Sequence, residues 1–325
     1  MTSRGADEPD PRWERAPAKL NFGLRIVGRR ADGYHLIESV FVPLDLEDGV
    51  CVELDRSEEG VELHVEGGSP ELADPGRNLA ARAARAFLDA ARVRAAVRIA
   101  LEKRIPVGAG LGGGSSDAAA VLRALSALLP GALASERLAE LALGLGADVP
   151  FFLDPRPARV GGIGERIEPL RGWPELPVLV ATPGPALATR EVFEAWDREA
   201  ARRSVALTPS APGRTLSPPS DPPPDASADS IAAASVVAPV GDRELRALLA
   251  NDLEEVASRL RPAIARVRAE IERSGARAVG MSGSGPSVFG VFGDDRSARA
   301  AAERGRFQAS DRVHVGRALA SWGVV

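Results

Sequence analysis

The chain has 325 residues, 45% of them hydrophobic, and a formal net charge of −4. That supplies a large core, in two domains or in one domain with two lobes, and gives no electrostatic pull toward nucleic acid or an anionic membrane. A single cysteine, Cys51, excludes an intrachain disulfide and a cysteine zinc site; with no signal-peptide pattern and no apolar run near the roughly 18 residues of a membrane span, the expectation is a soluble, cytoplasmic protein.

Residues 1–15 read as a flexible tail. Ala16 to Val27 is extended and leads to a polar turn ending at Asp32-Gly33. Ser39 to Leu46, Val50 to Leu54 and Val61 to Val65 are strand-like; Arg77 to Ala91 is an alanine-rich helix. Val97 to Leu101 is a strand, Ser116 to Leu129 a helix, and Ser135 to Leu145 a second helix with Ser135 as its N-cap. Gly146-Ala-Asp148-Val-Pro150 then reverses the chain.

Pro177 to Thr182 opens a second half as a strand, and Thr189 caps a helix through Ala200. Residues 203–241 hold eight prolines and little to bury, which reads as a disordered insert. Asp242 to Arg259 and Pro262 to Arg273 read as helices, the latter closed by Gly275. Strands at Arg277 to Met281 and Ser287 to Phe292 enclose the small-residue loop Ser282 to Pro286; a helix over Arg296 to Arg304 and a strand over Arg312 to Ala318 end the chain. Strands and helices do not alternate regularly, so α+β is favoured over a doubly wound sheet.

The richest chemistry lies between Pro106 and Asp117, where five glycines and two serines join a strand to a helix. Glycine lets an anion approach the backbone, and the helix start adds unpaired N–H groups: a phosphate cradle. Gly108 and Gly113 have the spacing of a Walker A loop, but Gly114 stands where its lysine belongs. Gly108-x-Gly110-x-x-Gly113 also matches the dinucleotide fingerprint and the protein-kinase loop. The former lacks its second strand ending in an acid, the latter its H-R-D and D-F-G. Only two of 41 basic residues are lysines, Lys19 and Lys103, and both flank candidate site segments.

Three segments in order, Ala16 to Asn21, Pro106 to Ser116 and Gly280 to Pro286, resemble the GHMP kinases. Arg30 to His35, the triple glycine and Gly146 to Pro150 narrow the resemblance. They point to the branch that uses ATP to phosphorylate the tertiary 2-hydroxyl of 4-diphosphocytidyl-2-C-methyl-D-erythritol in non-mevalonate isoprenoid synthesis. The resemblance implies two lobes with the site in the cleft between: an ATP-binding domain at 16–165 and an α/β domain at 166–325. Homoserine- and mevalonate-type kinases are the near alternatives. A dinucleotide-dependent oxidoreductase and a non-catalytic nucleotide sensor of the same fold are the distant ones.

The resemblance also implies roles. Pro106, Val107, Gly108, Ala109, Gly110, Leu111, Gly112, Gly113, Gly114, Ser115 and Ser116 wrap the ATP phosphates, and Asn78 and Lys103 lie on the nucleotide side. Asp148 is the general base and Lys19 its catalytic partner; Asn21, Tyr34, His35, Thr189 and Phe193 hold the cytidyl substrate. Each has a plainer reading. Asp148 before a proline is an ordinary turn former, Asn78 a helix cap, Phe193 a core residue and His35 a turn histidine. Magnesium is expected to arrive with ATP and keep several waters, since no paired His or Cys spacing suggests a protein-built cage. His64 and His314 have no assigned role, and the oligomeric state is not legible.

Overall fold

The computed structural model describes residues 10–68, 70–206 and 241–323. Its framework is a hairpin of two long strands, β1 (Arg12–Arg29) and β2 (His35–Asp55), paired antiparallel almost throughout. β2 joins the two runs Ser39 to Leu46 and Val50 to Leu54 into one strand. The polar stretch between them does not end it, because the register shift between Pro17 and Ala18 absorbs two extra residues of β2 as a bulge. β1 begins inside the stretch expected as a tail: Arg12 to Arg15 pair with Val52 to Gly49, and Glu14 is buried against Arg123. Residues 1–9 of that tail lie outside the described residues.

After β3 (Gly60–Glu66) come α1 (Leu79–Ala91), β4 (Ala96–Glu102), α2 (Gly113–Leu128) and α3 (Ser135–Leu145). The cap of α3 is Ala134 rather than Ser135, which already has its place inside the first turn. A hairpin missed by pattern reading follows, β5 (Ala158–Gly161) and β6 (Arg166–Pro169). The second half holds β7 (Leu176–Thr182), α4 (Thr189–Ala206), α5 (Asp242–Leu248), α6 (Glu254–Leu260), α7 (Ala263–Arg273), β8 (Ala278–Met281), β9 (Val288–Val291), α8 (Asp295–Arg304) and β10 (Arg312–Ala318). The expected insert at 203–241 lies outside the described residues except at its ends, where α4 runs on to Ala206. No helix among the described residues is long and apolar enough to cross a membrane.

The sheet runs β3-β4-β2-β10-β7-β9-β8, with β1 and the β5–β6 hairpin also joined to β2. Among the described strands only β3 and β4 pair in parallel, apart from a single parallel bridge between Leu24 and Asn251. Different stretches of β2 thus hold different neighbours: Gly49 to Asp55 pair with β4, Leu44 with β10 and Ser39 to Phe41 with β5. One strand therefore ties the front half of the chain to its last strand.

The helix expected over Asp242 to Arg259 is broken at residues 249–253. There the backbone leaves its own ladder to bond β1, Leu24 N–H to Ala250 O at 3.0 Å and Asp252 N–H to Leu24 O at 2.9 Å. Asn251 holds the break, its amide donating to Met281 O and Gly283 O while accepting from Leu253 N–H. Helix periodicity survives across such a jog, so the sequence pattern cannot reveal it.

Apolar packing fixes these elements on both faces. Phe87, Leu101, Leu122 and Phe151 lie with Val50 and Val52 in one core, and Leu20, Phe22, Leu44, Ile105, Leu111 and Phe289 form another beneath the glycine loop. Burying a side chain of this size is worth about 1.5–3 kcal/mol. The loop therefore rests on a close-packed floor.

Candidate active site

β4 ends at Glu102, and the glycine loop runs from there into α2, which starts at Gly113, three residues before the expected Ser116. Its N-cap is Gly112, which offers no side chain to the first-turn N–H groups. The backbone geometry explains the glycines. Gly110 has φ +76°, and a Cβ there would press into the carbonyl oxygen of Ser282 and lie 2.9 Å from that of Gly285. Gly112, at φ +74°, would bring a Cβ 2.7 Å from the Phe152 ring. The loop is held from both sides: Lys19 N–H donates to Leu111 O at 2.9 Å, and Ser282 Oγ donates to Gly110 O at 2.9 Å.

A cleft of about 1170 Å³ opens above it. Of the residues expected in the site, Lys19, Asn21, Tyr34, His35, Asn78, Lys103, the loop from Pro106 to Ser115, Asp148, Thr189 and Phe193 all line this cleft. Ser116 does not. It lies a turn into α2 with its side chain fully buried, its N–H already given to Gly112 O.

Lys19 projects from β1 with only 4% of its side chain exposed; its Nζ lies 3.7 Å from Asp148 Oδ2 and 4.4 Å from the centre of the Phe41 ring. Burial draws its ammonium below the ordinary lysine value, against the opposing pull of Asp148. The Lys19 ammonium also donates to Asn21 Oδ1. Asn21 in turn gives Nδ2–H to Ser39 Oγ at 3.0 Å and its backbone N–H to Ser282 Oγ at 3.2 Å. Asp148 arrives on the turn between α3 and the 3-10 turn Pro150–Leu153, one third exposed to the cleft. That turn is clamped by Arg123 of α2, which donates to Phe152 O and Arg15 O while pairing with Glu14 at 3.0 Å.

Lys103 lines the cleft at the glycine-loop end but is not a free ammonium. It is ion-paired with Asp48 and, at 2.7 Å, with Asp117. Burial pulls Lys103 down, yet the two carboxylates outweigh it and leave the ammonium above its ordinary value. Asp48 also accepts the N–H groups of Arg104 and Ile105, at 2.6 and 2.9 Å. Burial pushes the Asp117 carboxyl up to about 7, opposed by Lys103 and reinforced by Asp48. Asp48 and Asp117 were missed in the sequence, since their partner lies 55 and 14 residues away. Asn78 is both cap and cleft wall, its Oδ1 accepting Ala80 N–H at 2.9 Å and its Nδ2 donating to Leu72 O at 2.8 Å.

At the far end the rings gather. Phe193 of α4 stacks on His35 with centroids 4.8 Å apart and planes 25° from parallel, and Trp196 meets His35 edge-on at 5.7 Å. His35 Nε2 bonds Asp197 Oδ1 at 2.7 Å, and Arg29 pairs with the same carboxylate at 3.3 Å. Tyr34 stands 59% exposed at the rim. Thr189 is the first residue of α4, and its hydroxyl is bonded to Ser284 Oγ at 2.9 Å. Asp197 and Trp196 were also missed; spacing along a helix does not say that its neighbour is a turn 160 residues upstream.

Known proteins share the sequence and the fold of this chain. Residues 78–154 match the GHMP kinases N terminal domain and residues 241–311 the GHMP kinases C terminal domain. A 4-diphosphocytidyl-2-C-methyl-D-erythritol kinase of Desulfotalea psychrophila is 41% identical over 284 residues, 86% of this chain and 84% of its own. A crystal structure of 4-(cytidine 5'-diphospho)-2C-methyl-D-erythritol kinase superimposes with a TM-score of 0.68 at 40% identity, covering 94% of this chain and 98% of that one. A homoserine kinase of Cytophaga hutchinsonii, at 17% identity and TM-score 0.65 over the full length of both chains, shares the fold alone. The α+β architecture is that of the GHMP kinases, and the chain belongs to their 4-diphosphocytidyl-2-C-methyl-D-erythritol kinase family.

Proposed function

We infer that this chain transfers the γ-phosphoryl group of ATP to the 2-hydroxyl of 4-diphosphocytidyl-2-C-methyl-D-erythritol. The observation that carries the reading is the Lys19–Asp148 pair, 3.7 Å apart, in a cleft lined by the glycine loop and by the Tyr34, His35 and Phe193 rings. Phosphoryl transfer asks a protein for positioning, charge stabilisation and a proton acceptor. The loop and the start of α2 supply backbone N–H groups for the phosphates. Asp148 accepts the proton as the substrate oxygen bonds to the γ-phosphorus and the bond to the β-phosphate oxygen breaks, releasing ADP. Lys19 stabilises negative charge on the attacking oxygen, and the Asn21 carbonyl oxygen holds its ammonium in place.

Tyr34 and Phe193 form the clamp for the pyrimidine ring, with Thr189 and Asn21 as polar contacts. The Ser115 hydroxyl oxygen lines the phosphate end, so a magnesium ion carried in on ATP would be held there mainly by phosphate and water oxygens, with Ser115 as an oxygen ligand from the protein. Bound there it would neutralise phosphate charge. Residues 16–165 and 166–325 are the proposed nucleotide-binding and second lobes of a cytoplasmic enzyme.

The test is an ADP-release assay with the cytidyl substrate, homoserine and mevalonate in parallel. Turnover of the cytidyl ester alone is expected. Silence on it with turnover of another alcohol would move the chain elsewhere in the superfamily.

A further inference from the structure

Five basic side chains line the cleft, and four of them are already engaged. Lys19 lies 3.7 Å from Asp148, Arg29 3.3 Å from Asp197 and Arg190 2.7 Å from Glu194, while Lys103 is held by Asp48 and Asp117. Arg77 alone has neither a carboxylate within ion-pair distance nor a side-chain hydrogen bond among the described residues. Its backbone, by contrast, is fixed. Arg77 N–H donates to Asp74 O at 3.1 Å, and Arg85 braces the same turn by donating to Pro75 O at 2.6 Å. Asp74, the nearest acid in the chain, has turned its Oδ1 to Gly76 N–H at 2.8 Å.

The position of Arg77 gives that unpaired charge a use. The glycine loop has Walker A spacing but carries Gly114 where the lysine would stand. A Cβ on Gly114 would lie 3.7 Å from the Leu79 side chain, so the lysine position adjoins the first residue of α1, two residues after Arg77. Lys103 does not substitute for that lysine, because two carboxylates already neutralise it. We propose that Arg77 supplies the cation the loop lacks: from the start of α1 its guanidinium binds the phosphate oxygens of the nucleotide. A planar fork of donors matches two such oxygens at once, and no competing carboxylate has to be displaced first. This rests on the proposed function, and it adds a residue that holds the nucleotide.

The test is binding of ADP and of adenosine, measured separately on wild type, Arg77→Ala and Arg77→Lys. Arg77→Ala is expected to weaken ADP roughly tenfold, the scale of one charge-assisted hydrogen bond at a partly solvated site, and to leave adenosine unchanged. Arg77→Lys, which keeps the charge and loses the fork, should recover part of the ADP affinity. Wild-type affinity for ADP should also fall more steeply with added salt than that of Arg77→Ala, since the missing contact is the screened one. The melting temperature without nucleotide should not move, because the Arg77 side chain bonds nothing in the folded chain.

In steady state the KM for ATP should rise in Arg77→Ala while that for the cytidyl ester stays put. Unchanged ADP affinity in Arg77→Ala overturns the proposal. So does an equal weakening of ADP and adenosine, which would place the guanidinium on the nucleoside, and so does a rise confined to the KM of the cytidyl ester. If wild type binds ADP but does not turn over the cytidyl ester, the function reading fails while the binding series still decides Arg77.

Discussion

The two ends of the cleft are built on different principles. The end proposed for the phosphates is a contiguous run of backbone, Pro106 to Ser115, propped by carbonyl and hydroxyl contacts and underlain by the Asp48–Lys103–Asp117 ion cluster. The far end is made of side chains from the β1–β2 turn and from α4, meeting as Tyr34, His35, Phe193 and Asp197 across some 160 residues. A phosphate presents the same oxygens in every nucleotide, so fixed N–H groups serve it. A base must be told from its relatives, which takes rings and oriented lone pairs. On the proposed function the glycine loop is the generic half and the ring cluster the selective half, with Lys19 and Asp148 between them.

The largest blow to this division should come where the halves meet. Asp148→Asn is expected to lower kcat by about 10²–10⁴-fold, with KM for ATP little altered in a steady-state ADP-release assay. Near-full turnover would remove Asp148 as the base. Next comes Gly110→Ala, which forces a side chain into φ +76° and against the Ser282 carbonyl. Strain of about 1–3 kcal/mol is expected, seen as a lower melting temperature together with weaker nucleotide binding by calorimetry. Unchanged binding would mean that the loop tolerates a Cβ and does not approach the phosphates closely.

Tyr34→Ala should act on the other half alone. Loss of one stacking face is worth about 1–3 kcal/mol, so KM for the cytidyl ester should rise while KM for ATP and the melting temperature stay put, the ring being 59% exposed. A matching rise in both KM values would erase the distinction between the halves.

The smallest effect is on pH dependence. Asp117 is raised to about 7 in the folded protein from an ordinary value of 3.8. The folded state therefore keeps a proton that the unfolded chain has released. Its stabilising contribution is complete below pH 3.8 and is lost as pH rises through about 7. Asp117→Asn should reduce the fall in melting temperature between about pH 5 and pH 8; a fall equal to that of wild type would show that Asp117 does not titrate in this window.

Much of the site was legible in the chain because its parts are local. Gly110 and Gly112 need positive φ, and the glycines around them announce it; Lys19 and Asp148 were singled out by the motifs that resemble the GHMP kinases. The misreadings have two sources, one local and one distant. Ser116 was placed among phosphate ligands although α2 begins three residues earlier and turns it inward. The helix break at Asn251 was invisible because its cause is a partner strand, β1, more than 200 residues upstream.

The sequence by itself showed the α+β class and a glycine loop suited to a phosphate, since backbone freedom is a property of neighbouring residues, and its resemblance to the GHMP kinases named the pair proposed for phosphoryl transfer. Only the tertiary structure decided which of those groups are free to act. It engaged Lys103 with two aspartates, closed both ends of the Asn78 amide, and set Asp197 behind His35. Each of these depends on a distance across the fold, which no local pattern encodes.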